Sequence, residues 1–247
     1  MENLLGDSFL SRQRVLVVAP HADDETYGCA GTIARIKALG GEAYVLLGSL
    51  GGIDHYGPAG HGEMMHRVSS NTRLKEFNAV MEMLKVDDWE VMFAEESLHM
   101  ALDTVPRKDL VRLIERDARL SVENIQPTML LIPSMSYNQD HEALFRACMT
   151  ATRPGLRTER HLVPIVLGYD NTSLFWSPEH ERFHPNFYID VSEFLGVKIK
   201  ALQTHASQIR APLFHGSPEG LELQSRLRGR EISVEAAEGF VAHRAVF

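Results

Sequence analysis

Val15-Leu16-Val17-Val18-Ala19-Pro20-His21-Ala22-Asp23-Asp24-Glu25 is the stretch on which the fold turns. Its first five residues are apolar and rich in β-branched side chains, the pattern of a strand buried on both faces of a parallel sheet. Pro20 to Glu25 is a turn. Thr26 to Leu39 follows with Ile33, Ile36 and Leu39 at helical spacing, and Gly40-Gly41 stops it. Ala43 to Leu47 is a second buried strand. This β–turn–α–β order opens a right-handed parallel crossover.

Further along, the pattern changes. Gly48 to Thr72 is rich in Gly, His, Ser and Asn, shows no sustained period and reads as a long loop. Arg73 to Leu84 predicts an amphipathic helix with Leu74, Phe77, Val80, Met81 and Leu84 on one face. Val91 to Phe93 reads as a short strand and Pro106 to Ile125 as one long helix. Met129 to Ile132 reads as a buried strand, Ser134 to His141 as a loop and Glu142 to Thr152 as a helix. In the last third, Val163 to Leu167 and Phe187 to Val191 predict strands. Ser192 to Ser207 predicts a helix capped by Ser192, and Leu221 to Arg230 and Val234 to His243 predict two more. No repeat, low-complexity tract or linker interrupts the chain. The expectation is a single α/β domain over residues 1–247, Rossmann-like, with a mostly parallel sheet flanked by helices.

Composition narrows the function classes. The 247 residues suffice for one well-buried core, and 44% hydrophobic with 23% charged residues is ordinary for a globular protein. No apolar run approaches the roughly 18–20 residues that cross a bilayer, and Met1 to Arg14 lacks the pattern of a secretory signal. Cys29 and Cys148 form no C-x-x-C pair, so a reducing, cytoplasmic setting is expected. With a net charge of −8 and no basic run beyond Arg226 to Arg230, nucleic acid is not an expected partner.

The chemistry sits at two strand ends. His21-Ala22-Asp23-Asp24-Glu25 follows the first strand, and Asn138-Gln139-Asp140-His141 follows Met129 to Ile132. Ligands of open α/β sheets bind outside the carboxyl ends of the strands. Acidic residues at a helix start also cap the helix and complement its dipole, and an isolated His141 would suit a surface as well as a site. Core packing, however, does not require two ligand-type clusters on one rim of the sheet. Imidazoles with a carboxylate make a nitrogen–oxygen set suited to zinc, or to a neighbouring divalent metal such as Fe2+. Adjacent aspartates in a tight turn point in different directions, so one can bind metal while the other faces a water.

These motifs resemble those of the PIG-L/LmbE-like deacetylases. The first signature of that family is His-Pro-Asp-Asp-Glu followed by a Gly-containing helix start, here Tyr27-Gly28-Cys29-Ala30-Gly31-Thr32, with Ala22 replacing the proline. Asn138 to His141 is similar to the second signature. Arg73-x-x-Glu76, Ala206-Ser207-Gln208, Arg228-Gly229-Arg230 and Glu238-Gly239-Phe240 are similar to weaker motifs, so the resemblance runs over nearly the whole chain. It implies His21, Asp24 and His141 as metal ligands, Asp23 as general base, and Asp140 as a carboxylate that orients a histidine. Asn138 stands where the family often has a histidine; asparagine can donate a hydrogen bond to an oxyanion but cannot deliver a proton. The general acid is then Asp23 itself, His205 or a histidine of the long loop. Arg73 and His205 are further candidates for substrate contact.

The resemblance implies hydrolysis of an N-acetyl group on an N-acetylglucosamine-type sugar or sugar conjugate, a small-molecule partner. A homo-oligomer is compatible with it. The alternatives are a metal-dependent amidase on a non-sugar or thiol-conjugate amide, and a non-catalytic sugar-phosphate- or nucleotide-binding domain. Against the last, Gly28-x-x-Gly31 is not G-x-G-x-x-G and no P-loop lysine is present. The long loop, with His55, His61 and His66, is either a lid or a solvated surface. Glu95 and Glu96 are rim candidates, Cys29 a packing residue, and Phe175, Trp176 and Phe183 packing residues or a sugar platform.

Overall fold

The apolar run at the start of the decisive stretch becomes β1 (Arg14–Ala19) at the centre of a sheet. Its side chains alternate between two cores. Val15, Val17 and Ala19 pack on one face, and Leu16 and Val18 on the other. A strand buried on both faces carries no polar alternation, which is why the run is continuously apolar. The structure is a computed structural model describing residues 4–56, 64–171, 183–214 and 216–247.

Seven strands form the main sheet. Beside β1 lie β2 (Glu42–Ser49), β5 (Asp88–Phe93), β6 (Met129–Pro133), β7 (Ile165–Tyr169), β8 (Phe187–Asp190) and β9 (Ala237–Ala245), in the order β5-β2-β1-β6-β7-β9-β8. β5, β2, β1, β6 and β7 pair in parallel, while β9 pairs antiparallel with both β7 and β8. The chain steps outward from β1 to β2 and β5, then returns to β6 on the other side of β1. That reversal makes a switch point at the carboxyl ends of β1 and β6. The helices are α1 (Leu4–Leu10), α2 (Asp24–Ala38), α3 (Ser70–Met83), α4 (Arg107–Arg112), α5 (Val122–Ile125), α6 (Gln139–Ala151), α7 (Leu195–Thr204) and α8 (Pro218–Glu231). Residues of α2, α3 and α7 join one core; residues of α4 and α6 join the other. This is the expected single-domain α/β fold with a mostly parallel sheet between helices. Among the described residues, no helix is long and apolar enough to cross a membrane.

The two glycines of Gly28-x-x-Gly31 have a packing role. A Cβ at Gly28 would fall 2.3 Å from the Tyr169 ring, and one at Gly31 2.8 Å from Val191. α2 thus lies closer to the sheet than any side chain would allow.

Four expectations are corrected. Val234 to His243 is not a helix: residues 237–245 form β9, an inner strand between β7 and β8. Its Ala- and Glu-rich start carries helix propensity, but the sheet ladder and the burial of Ala236, Ala237 and Phe240 override it. Gly48 to Thr72 is not one irregular loop; it contains the antiparallel pair β3 (Ile53–Tyr56) and β4 (Met64–Val68), and α3 begins at Ser70 with Ser69 as cap. Pro106 to Ile125 is broken into α4, a π turn at Leu113–Asp117 and α5, with Ala118 extended between the turn and α5. Ser192 does not cap α7. Its hydroxyl donates to Asp190, 2.6 Å away, and a 3-10 turn at Ser192–Phe194 intervenes before the helix.

Candidate active site

The turn between β1 and α2 is closed by its own side chains. The backbone N–H of His21 donates to Asp24 Oδ2 (2.9 Å), while Thr26 and Tyr27 donate to the Asp23 carbonyl (2.9 Å each). Across the switch point, Asn138 caps α6. Its side-chain oxygen accepts from the backbone N–H groups of Asp140 (3.0 Å) and His141 (3.3 Å). Each strand end therefore fixes one half of a cluster.

The halves meet closely. One ligand atom each from His21, Asp24 and His141 lies within 4.8 Å of the others. Asp24 Oδ2 is 3.1 Å from His141 Nε2 and 3.4 Å from His21 Nδ1. All three residues are buried. Asp140 stands behind the cluster. Its Oδ2 accepts from His21 Nε2 at 2.8 Å and its Oδ1 from the Leu102 N–H at 2.8 Å, so Nδ1 is the nitrogen that His21 turns to its partners. Asn171 steadies Asp24 from the far side, its Nδ2 donating to Oδ1 at 2.7 Å.

This set fits a divalent cation. Two imidazole nitrogens and a carboxylate oxygen converge with no lysine or arginine among them. The electrostatics ask for positive charge. Against the cost of burial, hydrogen bonds to Asp140 and Asp24 raise His21 to about 9. Asp24, also against burial, is held well below the usual carboxylate range by His141 and His21.

Asp23 lies beside the cluster and lines the same cavity. Its backbone is strained, with φ 132° in a region that residues with a side chain rarely adopt. Burial, then the neighbouring Asp24 carboxylate, push Asp23 above the ordinary carboxylate range; Arg73 pulls the other way. The cavity measures about 680 Å³ and is lined by the three ligand candidates, Asp23, Asn138 and Arg73 among others. Gly52, Ile53 and Asp54 of the β3–β4 segment also line it. Arg73 is buried and donates to the carbonyls of Gly51 (2.9 Å) and Ala22 (3.2 Å), tying α3 to the β1–α2 turn.

Other sequence candidates fall elsewhere. His205 is only 1% exposed, bonds Glu25 through Nε2 at 2.8 Å and does not line the cavity; an interior carboxylate holds it away from the position of a substrate contact. The His55 and His66 rings stack on each other at 4.4 Å and do not line the cavity. Glu95 is exposed, and Glu96 pairs with Arg67 at 3.0 Å. Cys29 is buried, and burial pushes its thiol up. Phe183 lies under the Arg228 guanidinium, 5.6 Å from its ring centre. His61, Phe175 and Trp176 lie outside the described residues.

Among the cavity residues that lie outside every motif are His99, Asn171 and Arg210. They come from separate connections with no fixed spacing to either signature. Burial, then the positive surroundings of His21 and Arg73, lower His99 to about 4. It is therefore a neutral imidazole whose Nε2 accepts from Arg73 Nη1 at 2.8 Å.

Comparison with known proteins adds to this geometry. The PIG-L family profile, described as GlcNAc-PI de-N-acetylase, matches residues 16–152. A diacetylchitobiose deacetylase of Thermococcus kodakarensis is 26% identical over 214 residues, 83% of this chain and 73% of that protein. A probable N-acetyl-alpha-D-glucosaminyl L-malate deacetylase 2 of Bacillus anthracis is 27% identical over 203 residues, 80% of this chain and 82% of that one. Among solved structures, a conserved protein of Thermus thermophilus superposes with a TM-score of 0.71 at 25% identity, covering 95% of this chain and 96% of that one.

Proposed function

This chain belongs to the PIG-L family, and on that premise we propose that it is a metal-dependent hydrolase removing the N-acetyl group from an N-acetylglucosamine-type sugar or sugar conjugate. The observation that carries the reading is the joint placement of His21, Asp24, His141 and Asp23 on one cavity wall. The substrate class rests on the names of the two relatives. His21, Asp24 and His141 would hold the metal, most naturally zinc and alternatively Fe2+. A bound divalent cation supplies the acidity that makes water reactive near neutral pH and polarises the acyl carbonyl.

The chain's own residues supply the rest. Asp23 takes the proton of the attacking water on its carboxylate and passes it to the departing amine nitrogen. A carboxylate raised by burial suits both transfers near neutral pH. Asp140 fixes the ring orientation of His21. Asn138 spends its side-chain oxygen on the helix cap, so its role in the reaction is confined to the amide N–H, which donates to the developing oxyanion. Arg73 holds the carbonyl of Ala22, next to Asp23. His205, bonded to Glu25 inside the fold, is not the proton donor in this scheme.

The test is acetate release by purified zinc-loaded protein from N-acetylglucosamine, diacetylchitobiose and N-acetylglucosaminyl malate. Release from at least one, abolished by chelation and restored by zinc, is expected. Stoichiometric zinc with no acetate from any sugar would overturn the substrate class and leave the metal site standing.

A further inference from the structure

The mechanism leaves a buried acidic group next to Asp23 without a task. Glu25 is fully buried beneath the β1–α2 turn and divides its carboxylate between two jobs. Oε2 accepts from the backbone N–H of Asp23 at 3.0 Å. Oε1 accepts from Thr26 Oγ1 at 2.9 Å and meets His205 Nε2 at 2.8 Å. Glu25 does not line the cavity. His205, 180 residues away in sequence, caps the end of α7, where its backbone N–H bonds the Ala201 carbonyl at 3.2 Å.

Asp23 needs such a hold. Its φ of 132° is costly for a residue with a side chain and persists only where the surroundings over-determine it. Its side chain makes no capping bond that would fix it locally. The bonds that fix the residue are made by its backbone. The carbonyl starts α2 through Thr26 and Tyr27, and the N–H goes to Glu25. Of these, only the bond from the N–H depends on a side chain, and that side chain is anchored from another helix.

We infer that Glu25 and His205 form a positioning pair for Asp23: His205 pins the Glu25 carboxylate, and Glu25 holds the Asp23 backbone in the strained conformation that sets its carboxylate against the cavity. The inference rests on the assignment of Asp23 as general base. It accounts for the closing Glu of the first motif and for the burial of His205, neither of which binds metal or touches the cavity.

The test compares Glu25→Ala, Glu25→Gln, His205→Ala and the double Ala variant as full-length, zinc-loaded protein. Readouts are the crystallographic φ of residue 23, zinc affinity, and kcat and KM on whichever acetylated sugar the wild type hydrolyses. Gln keeps one oxygen that can accept from Asp23 N–H, so Glu25→Gln should retain φ near its wild-type value and at least about a third of kcat. Glu25→Ala should let residue 23 relax and lower kcat about 100-fold, the scale of a misplaced reacting group. KM and zinc affinity should stay within about threefold, since no substrate or metal contact is removed. His205→Ala should lower kcat about 10-fold and add little to Glu25→Ala, because the two residues act as one unit. An unchanged φ in Glu25→Ala overturns the inference, as does zinc affinity that falls in step with kcat. If Glu25→Ala does not fold, His205→Ala against Glu25→Gln decides: loss in the first with retention in the second supports the pair, and wild-type kcat in His205→Ala overturns it. Should the wild type hydrolyse none of the sugars, φ and zinc affinity still decide the positioning claim.

Discussion

α2 is gripped at two places by buried charge, and the two places are built on opposite principles. At its N-terminus, Asp24 faces two imidazoles, and the cluster opens onto a cavity. In its middle, Glu238 of β9 receives the backbone N–H groups of Gly31 (2.9 Å) and Thr32 (2.8 Å) and pairs with Lys198 at 2.5 Å; Lys198 also bonds the Tyr27 carbonyl at 2.7 Å. The Lys198–Glu238 pair is 2% exposed on both sides. The second network is closed: charges balance and the groups are mutually satisfied. The first sets two carboxylates, Asp24 and Asp140, against imidazoles, with no lysine or arginine among the described residues paired to either. A closed buried network acts as a clamp, whereas an open one beside a cavity has the makeup of a candidate cation site.

The contrast predicts a separation of effects. His141→Ala should abolish stoichiometric zinc binding and activity, with little change in the thermal midpoint of the metal-free protein. Equilibrium dialysis with a melting curve checks both; retained zinc would break the distinction. Asp140→Asn keeps the shape but weakens the acceptor behind His21, and should lower zinc affinity about 10–100-fold. Competition with a chromophoric chelator measures it. Glu238→Ala should do the converse. Leaving Lys198 buried and unpaired should cost about 3–5 kcal/mol of stability by denaturant unfolding, while zinc affinity of the folded protein stays within a few-fold.

A third cluster calibrates the small end. Glu115 is surrounded by Arg153 (3.2 Å), Arg160 (3.3 Å) and Arg116 (3.4 Å). Although burial raises it, hydrogen bonding and attraction from Arg153 and the other arginines leave Glu115 below its ordinary value. A carboxyl depressed in the folded state contributes stability that is present above its unfolded pKa and lost as pH falls through the folded one. Glu115→Gln should therefore reduce stability at neutral pH less than Glu238→Ala does, and flatten the loss of stability below about pH 4.5. Denaturant midpoints across pH 3 to 7 report it.

The open network was legible because it is local twice over. His21 to Asp24 and Asn138 to His141 each sit directly after an apolar run, so strand and ligand type are read together. The closed network was not legible. Glu238 lies in a segment whose alanines and glutamates carry helix propensity, and only its place between β7 and β8 makes it a strand. Asn138 shows a subtler gap. An asparagine directly before a helix start is an N-cap signal in any sequence, and the cap consumes the side-chain oxygen that a reading from chemistry alone leaves available. His205 illustrates the limit from the other direction. A histidine after an amphipathic helix offers no sign of whether it faces a cavity or a buried glutamate 180 residues away. His99, Asn171 and Arg210, which belong to no motif, reach the cavity through the return of loops to one rim.

The central claim is that His21, Asp24 and His141 hold the metal while Asp23 moves the proton. Zinc content and acetate release measured together on wild type and Asp23→Ala test it most directly. The expected result is one zinc per chain in both proteins, with acetate release lowered about 100- to 10,000-fold in Asp23→Ala, the range of a lost general base. Near-wild-type release by Asp23→Ala, or a wild type that hydrolyses the sugar with its three ligand candidates free of metal, would contradict it.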